Sequence, residues 1–218
     1  MTLSLRHGAT TCHGLSVFDA CKDIPGYMGR DDALHFALVL GLQRESGLAG
    51  DVLEIGTWFG KSAAFIANFV RPGEKLILCD AFQIETKDRY SERPTVKALK
   101  ANLRRGAPAF DHAGLELHAC LSTGLRLAPG VRLRFAHVDG GHAREEALHD
   151  LRLIADFVVP GGVVVVDDYR HPQWPGVTLA VEDFLLEDRR FGEAAALNRW
   201  EAKGQKTYLV RRPGGAAD

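Results

Sequence analysis

Short apolar runs alternate with longer amphipathic segments along most of the chain. The short runs are typical of buried strands, and the longer segments have the three-to-four-residue spacing of helices. The five predicted strands in the centre of the pattern are DVLEIG, KLILCD, LELHAC, LRFAHVD and VVVVDD. Strands that alternate with helices predict an α/β protein with a doubly wound, Rossmann-like, mostly parallel sheet.

The first clear helix is predicted in the segment DDALHFALVLGLQRESG. Asp31 or Asp32 can cap its start, because a carboxylate accepts hydrogen bonds from free backbone N–H groups there. Leu34, Leu38 and Leu42 share one face at helical spacing.

A second amphipathic helix is predicted in REEALHDLRLIADFV, where one face carries Ala147, Leu151, Ile154 and Val158. Residues 160–162, Pro-Gly-Gly, are predicted to end it and to precede the fifth strand. KSAAFIANFV and GVTLAVEDFLLED predict further helices. AAALNRW and QKTYLVRR predict a closing antiparallel pair, which makes seven strands with an antiparallel last strand.

The glycines and prolines near the N-terminus predict an irregular arm over residues 1–30. Residues 31–212 are predicted to form one domain, and residues 213–218 a disordered tail. With 218 residues, of which 46% are hydrophobic, the chain can bury a full core in a single domain.

The net charge of −1 gives no electrostatic reason to expect nucleic acid or an anionic membrane as partner. The four cysteines form no C-x-x-C pair, so a thiolate zinc site is not indicated. The sequence shows no signal-peptide core and no run long enough to span a membrane. We therefore expect a cytoplasmic protein.

Ligands of doubly wound sheets lie beyond the carboxyl ends of the strands. We expect the residues at those ends to line one crevice; they are Glu54, Gly56, Asp80, Ser122, Asp139, Asp167 and Asp168.

One half of this crevice is predicted to bind a nucleoside. In LEIGTWFGKS, Gly56 and Gly60 allow a tight turn, and the helix that begins near Lys61 offers free N–H groups. Asp80 ends the next strand, where a carboxylate can accept hydrogen bonds from ribose hydroxyls. The G-x-x-x-G spacing departs from the dinucleotide G-x-G-x-x-G, which favours S-adenosylmethionine (SAM) over NAD.

The other half carries three aspartates, Asp139, Asp167 and Asp168, at the ends of two strands. Converging carboxylates repel unless a cation neutralises them, and oxygen ligands favour Mg²⁺. Alternatively, single aspartates only cap the segments that follow. His142 has a pKa range suited to a general base, although a histidine here can also cap its helix or hydrogen-bond an aspartate.

The segment LEIGTWFGKSAAF resembles the first motif of class I SAM-dependent methyltransferases. The resemblance implies that Glu54, Gly56 and Ser62 contact the methionine part of SAM, and Thr57 and Gly60 are expected to belong to the cofactor site as well. It implies further that Asp80 binds the ribose and that Ser122 lies near the adenine.

VDGGH, VPGGVVVVDDY and WPGVTLAVEDF together resemble the macrocin O-methyltransferase family, over roughly residues 24–210. These Mg²⁺-dependent enzymes methylate hydroxyls of natural-product sugars. The resemblance implies that Asp139, Asp167 and Asp168 are metal ligands. Several such enzymes carry a second acid, thought to be the base, two positions after the first aspartate, whereas here Gly141 takes that position and His142 follows.

The sequence thus predicts a Mg²⁺-dependent O-methyltransferase that acts on a sugar or another diol, since two adjacent oxygens can chelate one metal. The N-terminal arm and residues 84–95 are expected to shape the acceptor pocket. A homodimer or larger homo-oligomer is expected, with the arm covering a neighbouring subunit's crevice. The alternatives are a non-catalytic SAM-binding protein and, less favoured by the glycine spacing, an NAD(P)-dependent oxidoreductase.

Overall fold

The computed structural model describes residues 2–86, 92–199 and 203–214. The strands are β1 Asp51–Ile55, β2 Leu76–Asp80, β3 Leu115–Ala119, β4 Leu133–Val138, β5 Val158–Tyr169, β6 Phe191–Asn198 and β7 Gln205–Arg211. The helices are α1 Thr2–Cys21, α2 Arg30–Glu45, α3 Lys61–Ala67, α4 Val96–Gly106, α5 Arg144–Ala155 and α6 Pro175–Glu187. Within the described ranges, no helix is long and apolar enough to cross a membrane.

The seven strands form one sheet in the order β3-β2-β1-β4-β5-β7-β6. β7 runs antiparallel to both of its neighbours, and the other pairings are parallel. This arrangement confirms the predicted doubly wound, Rossmann-like sheet. β7 lies between β5 and β6, so the last strand in the sequence does not lie at the edge of the sheet.

Apolar side chains on each strand alternate between two buried clusters, one on each face of the sheet. In β1, Val52 belongs to the cluster that contains Phe36 and Phe65, whereas Leu53 belongs to the cluster that contains Leu151. Helices α1 to α4 cover the first face, and α5 and α6 cover the second. Burial on both faces explains why the strand segments are almost continuously apolar.

The irregular arm predicted for residues 1–30 is wrong for most of that length, because residues 2–21 form α1. A Cβ added at Gly14 would lie 2.5 Å from the Cβ of Ala37 in α2. Gly14 therefore allows the two helices to approach closely and does not interrupt α1. The predicted tail lies outside the described residues from position 215 onwards.

The start and the buried face of α2 also differ from the prediction. Gly29 is the N-cap, and Asp32 accepts a hydrogen bond from its backbone N–H at 2.8 Å. The buried side of α2 includes Phe36 and Leu40, while Leu38 and Leu42 are exposed. The core therefore covers a different face of the helix from the one that carries the leucines.

The Pro-Gly-Gly sequence at residues 160–162 lies inside β5 instead of ending α5. α5 ends at Ala155, and Val158 pairs with Leu133 of β4 as the first residue of β5. The pairing register shifts before Phe135 meets Val163. The three residues are thus accommodated as an irregularity of the strand, and Val158 belongs to the sheet rather than to the helix face.

Candidate active site

The carboxyl ends of the parallel strands open into one cavity of about 1340 Å³. Most of the sequence-predicted site residues line it: Gly56, Thr57, Ser62, Asp80, Ser122, Asp139, His142, Asp167 and Asp168. The structure therefore brings the predicted nucleoside half and the predicted acidic half together in one space. Glu54 and Gly60 are not among its lining residues.

The loop between β1 and α3 depends on two glycines with positive φ angles, 85° at Gly56 and 86° at Gly60. A Cβ at Gly56 would lie 1.8 Å from the carbonyl oxygen of Asp139, and one at Gly60 would lie 2.4 Å from Leu99. Gly56 therefore allows the loop after β1 to contact the loop after β4. This contact joins the two halves of the cavity.

Asp80 is held at the end of β2 by backbone donors. The N–H of Trp58 donates to Oδ2 at 2.7 Å, and the N–H of Phe82 donates to Oδ1 at 2.6 Å. Desolvation raises the pKa of Asp80, and the donated hydrogen bonds oppose that rise. A carboxylate has about four lone-pair sites, so it can accept further hydrogen bonds from a ligand in the cavity.

Glu54 is fully buried. Its carboxylate contacts His137 and does not line the cavity. Its Oε1 lies 2.7 Å from Nδ1 of His137. The other ring nitrogen of His137 lies 3.1 Å from Nζ of Lys206, which also donates to Asp167. This buried chain links β1 to the acidic end of the cavity.

Asp167 and Asp168 are both paired with cationic side chains. Arg199 Nη2 lies 2.9 Å from Oδ1 of Asp167 and 3.2 Å from Oδ1 of Asp168. Lys206 donates to the other oxygen of Asp167. Burial alone would raise the pKa of Asp167, but Lys206 and Arg199 hold it well below its usual range.

His142 lies between Asp168 and an aromatic ring. Its Nε2 is 3.1 Å from Oδ2 of Asp168, and its ring stacks on Trp174 with centroids 4.2 Å apart. The side chain is only 6% exposed. These contacts restrict the ring orientation and place His142 in the cavity wall beside Asp139.

Asp139 is the third predicted acid. Desolvation, and after it the negative charge of Asp167, raise its pKa well above the usual value. Ligand atoms of Asp139, His142 and Asp168 lie within 4.8 Å of one another, as do those of His137, Asp139 and Asp167. By distance alone each group is a candidate metal site, but neither contains all three predicted aspartates.

Three residues at this site were not predicted from the sequence: His137, Arg199 and Lys206. His137 is a polar residue within an otherwise apolar strand, which is a signal that could have been used. Lys206 and Arg199 belong to segments that were interpreted only as a closing pair of strands. Lys206 reaches Asp167 because β7 lies beside β5, whereas Arg199 directly follows β6.

The segments expected to shape the acceptor pocket also line the cavity. Residues 84–86 and 92–94 contribute, whereas residues 87–91 lie outside the described part of the chain. From the N-terminal segment, Tyr27 stacks on Trp58 with centroids 5.2 Å apart and an interplanar angle of 10°. Tyr27 remains 78% exposed.

Three solved structures illustrate what the fold is similar to. The O-methyltransferase NovP has a TM-score of 0.68 at 16% identity, over 90% of this chain and 88% of that one. CalS11, a TDP-rhamnose 3′-O-methyltransferase of calicheamicin biosynthesis, has a TM-score of 0.61 at 17% identity, over 93% of each chain. The O-methyltransferase TomG from Streptomyces achromogenes, solved with SAM, has a TM-score of 0.58 at 19% identity, over 93% of this chain and 89% of that one.

No curated protein sequence matches the chain. A family profile described as a methyltransferase domain, Methyltransf_24, matches residues 53–169. The matched region runs from β1 to the end of β5 and contains all the predicted site residues. Because it spans more than half of the 218 residues, the chain belongs to this methyltransferase family.

Proposed function

We propose that the protein is a SAM-dependent O-methyltransferase that methylates a hydroxyl group of a small molecule. The observation that carries the proposal is the single cavity that joins Asp80 to His142. Pockets for one drug-sized ligand enclose about 300–1,000 Å³. The volume of about 1340 Å³ therefore has room for SAM and an acceptor side by side.

The cofactor half of the proposal rests on the loop after β1 and on Asp80. Asp80 accepts the ribose hydroxyls, and Ser122 lies on the adenine side. Thr57 and Ser62, which line the cavity, contact the methionine part. Glu54 does not line the cavity, and its contribution is indirect, through the buried contact with His137. When bound, SAM supplies a methyl group on a positively charged sulfur.

The acceptor half centres on His142 as general base. His142 is assigned this role because it lines the cavity and its Nε2 contacts Asp168, which can orient the ring. As the acceptor oxygen bonds to the methyl carbon and the sulfur–carbon bond breaks, His142 takes the hydroxyl proton. Asp168 then stabilises the imidazolium, and Trp174 maintains the orientation of the ring.

The acceptor class proposed is a hydroxyl of a natural-product sugar or another diol. The likeness to CalS11, whose acceptor is a TDP-rhamnose, supports a sugar. The cavity carries both aromatic and charged lining residues, including Trp174 and Arg93, which suits an amphipathic acceptor of this kind.

A magnesium requirement was predicted from the three aspartates, and the contacts of these residues bear on it. Mg²⁺ needs near-octahedral oxygen ligands directed at one point. Both oxygens of Asp167 are engaged by Lys206 and Arg199, and those of Asp168 by Arg199 and His142. A divalent ion placed in the cluster would also be repelled by the ammonium and guanidinium groups already there. The three aspartates in this arrangement therefore do not fit a Mg²⁺ ion, and a magnesium requirement is not part of the proposed function.

A homo-oligomer and a cytoplasmic location remain predictions. The N-terminal segment, which was expected to cover a neighbouring subunit, contacts its own chain. Helix α1 packs against α2, α3 and α4, and residues 26–32 line the cavity. Light scattering at micromolar concentration tests the oligomer, since a monomer there would contradict it.

The proposed function is tested by calorimetric titration with SAM and with NAD, followed by assays with radiolabelled SAM on a panel of sugars and catechols. SAM binding with methyl transfer to a hydroxyl is the expected result. Binding of SAM without transfer to any acceptor would favour the non-catalytic alternative. Binding of NAD in preference to SAM would contradict the proposal.

A further inference from the structure

Two cationic side chains reach into the acidic end of the cavity, where a divalent ion was predicted. We infer that Lys206 and Arg199 are the resident cations of the acidic cluster Asp139, Asp167 and Asp168, and that they take the place of the predicted Mg²⁺. Methyl transfer then proceeds without a divalent metal.

Lys206 is held in the cluster by its surroundings. Its side chain is only 3% exposed. Nζ donates to Asp167, lies 3.1 Å from Nε2 of His137, and lies 5.5 Å from the centre of the Phe36 ring. A surface lysine could turn into solvent when a metal binds. Lys206 is more restricted, because turning away from Asp167 would separate a buried ammonium group from its carboxylate partner.

Arg199 holds the two neighbouring aspartates together. One guanidinium nitrogen bridges Oδ1 of Asp167 and Oδ1 of Asp168, and Nε lies 3.4 Å from the carbonyl oxygen of Gly204. The remaining oxygen of Asp168 contacts His142. The two carboxylates are thus directed towards Arg199, Lys206 and His142.

The backbone supports the same arrangement. Asp168 has a φ of 53°, in the left-handed region that non-glycine residues seldom adopt. Its N–H donates to Oδ1 of Asp167 at 2.7 Å. This turn directs the Asp168 side chain to Arg199 on one side and to His142 on the other.

The consequence for the reaction is that positive charge is supplied by the chain itself. Arg199 lines the cavity, so its guanidinium can donate to the acceptor oxygen and stabilise the negative charge that develops there. A chelating diol is then not required, and an acceptor with a single hydroxyl is sufficient. This consequence rests on the proposed function, whereas the occupancy of the cluster by Lys206 and Arg199 does not.

Titration of the purified protein with Mn²⁺, followed by electron paramagnetic resonance, tests the inference without any acceptor. The wild type is expected to show no saturable site at submillimolar Mn²⁺. Lys206→Gln removes the charge with little change of length, and we expect it to bind one Mn²⁺ at least about tenfold more tightly than the wild type, because ligand charge sets the affinity of such sites. Lys203 lines the same cavity and is exposed, so Lys203→Gln is the matched control and should gain no site.

One tightly bound Mn²⁺ in the wild type would overturn the inference, and so would a folded Lys206→Gln variant that gains no affinity. If circular dichroism shows that Lys206→Gln is unfolded, Arg199→Gln takes its place under the same criterion.

In the activity assay, wild-type turnover should persist in EDTA, and loss of turnover that Mg²⁺ restores would overturn the inference. Absence of turnover under all conditions, with no Mn²⁺ site in the wild type, would instead contradict the proposed function alone.

Discussion

His142 Nε2 lies 3.1 Å from Oδ2 of Asp168, although His142 precedes α5, Asp168 belongs to β5, and the two residues are 26 positions apart. The contact joins the start of α5 to the end of β5. It gives the histidine a fixed orientation and a carboxylate that stabilises its protonated form. The aspartate of a Ser-His-Asp triad makes the same kind of contact with its histidine base.

Replacing this histidine provides the first prediction. His142→Ala should lower turnover about 10²–10⁴-fold, the range for loss of a general base, and should leave SAM affinity nearly unchanged. The measurement is steady-state methyl transfer together with calorimetric SAM binding. His171→Ala is the control, because His171 also lines the cavity and lies 6.3 Å from the Trp174 ring. Equal losses in both variants would show that His142 is not the base.

Asp80 allows a test of the cofactor half. Asp80→Ala should weaken SAM binding by about 1.5–3 kcal/mol, because charge-assisted hydrogen bonds to the ribose are lost. Calorimetry measures the affinity, and circular dichroism checks the fold. Glu187→Ala removes a carboxylate from a surface ion pair with Arg152 and should not change the affinity. An unchanged affinity for the Asp80 variant would mean that the ribose lies elsewhere.

The close approach at Gly56 predicts a large loss of stability. Gly56→Ala combines the strain of a positive φ with a clash against the carbonyl of Asp139, and should lower the free energy of unfolding by about 3 kcal/mol or more. Gly73 has a φ of 84° but no atom within 4 Å of an added Cβ. Gly73→Ala therefore measures the strain alone, about 1–2 kcal/mol. Similar urea midpoints for the two variants would contradict the clash.

The buried carboxyl of Asp150 predicts a dependence of stability on pH. Desolvation raises its pKa from 3.8 to about 7, so the folded state binds the proton more tightly than the unfolded chain does. The stability that this contributes is fully present below about pH 3.8 and is lost as the pH rises to about 7.

Asp150→Asn keeps a neutral side chain at every pH. Its free energy of unfolding should therefore rise relative to the wild type by about 2–4 kcal/mol between pH 4.5 and 7.5. Urea unfolding at a series of pH values measures the difference. Asp156→Asn, at an exposed carboxylate near the end of α5, should give a nearly constant difference. A constant difference for Asp150→Asn as well would contradict the prediction.

The alternation of apolar runs with amphipathic segments was sufficient to predict the parallel strands in the centre of the fold and the edge of the sheet at which the candidate site lies. Parallel strands bring their carboxyl ends to one edge, so Asp80, Asp139 and Asp167 could be placed in a common crevice from their positions in the sequence alone. The glycine pattern failed for α1, because it does not distinguish a glycine that breaks a helix from Gly14, which lets two helices touch.

The sequence by itself determined the central strands and most of the helices, the methyltransferase resemblance and the acids at the strand ends, because these follow from local spacing. The tertiary structure decided which side chains neutralise those acids. β7 enters the sheet between β5 and β6, which brings Lys206 to Asp167 across 39 positions of the chain. A strand's period of two shows which residues share a face, but it does not show which strand lies next to it. The pairing of buried charges therefore followed only from the order of the strands in space.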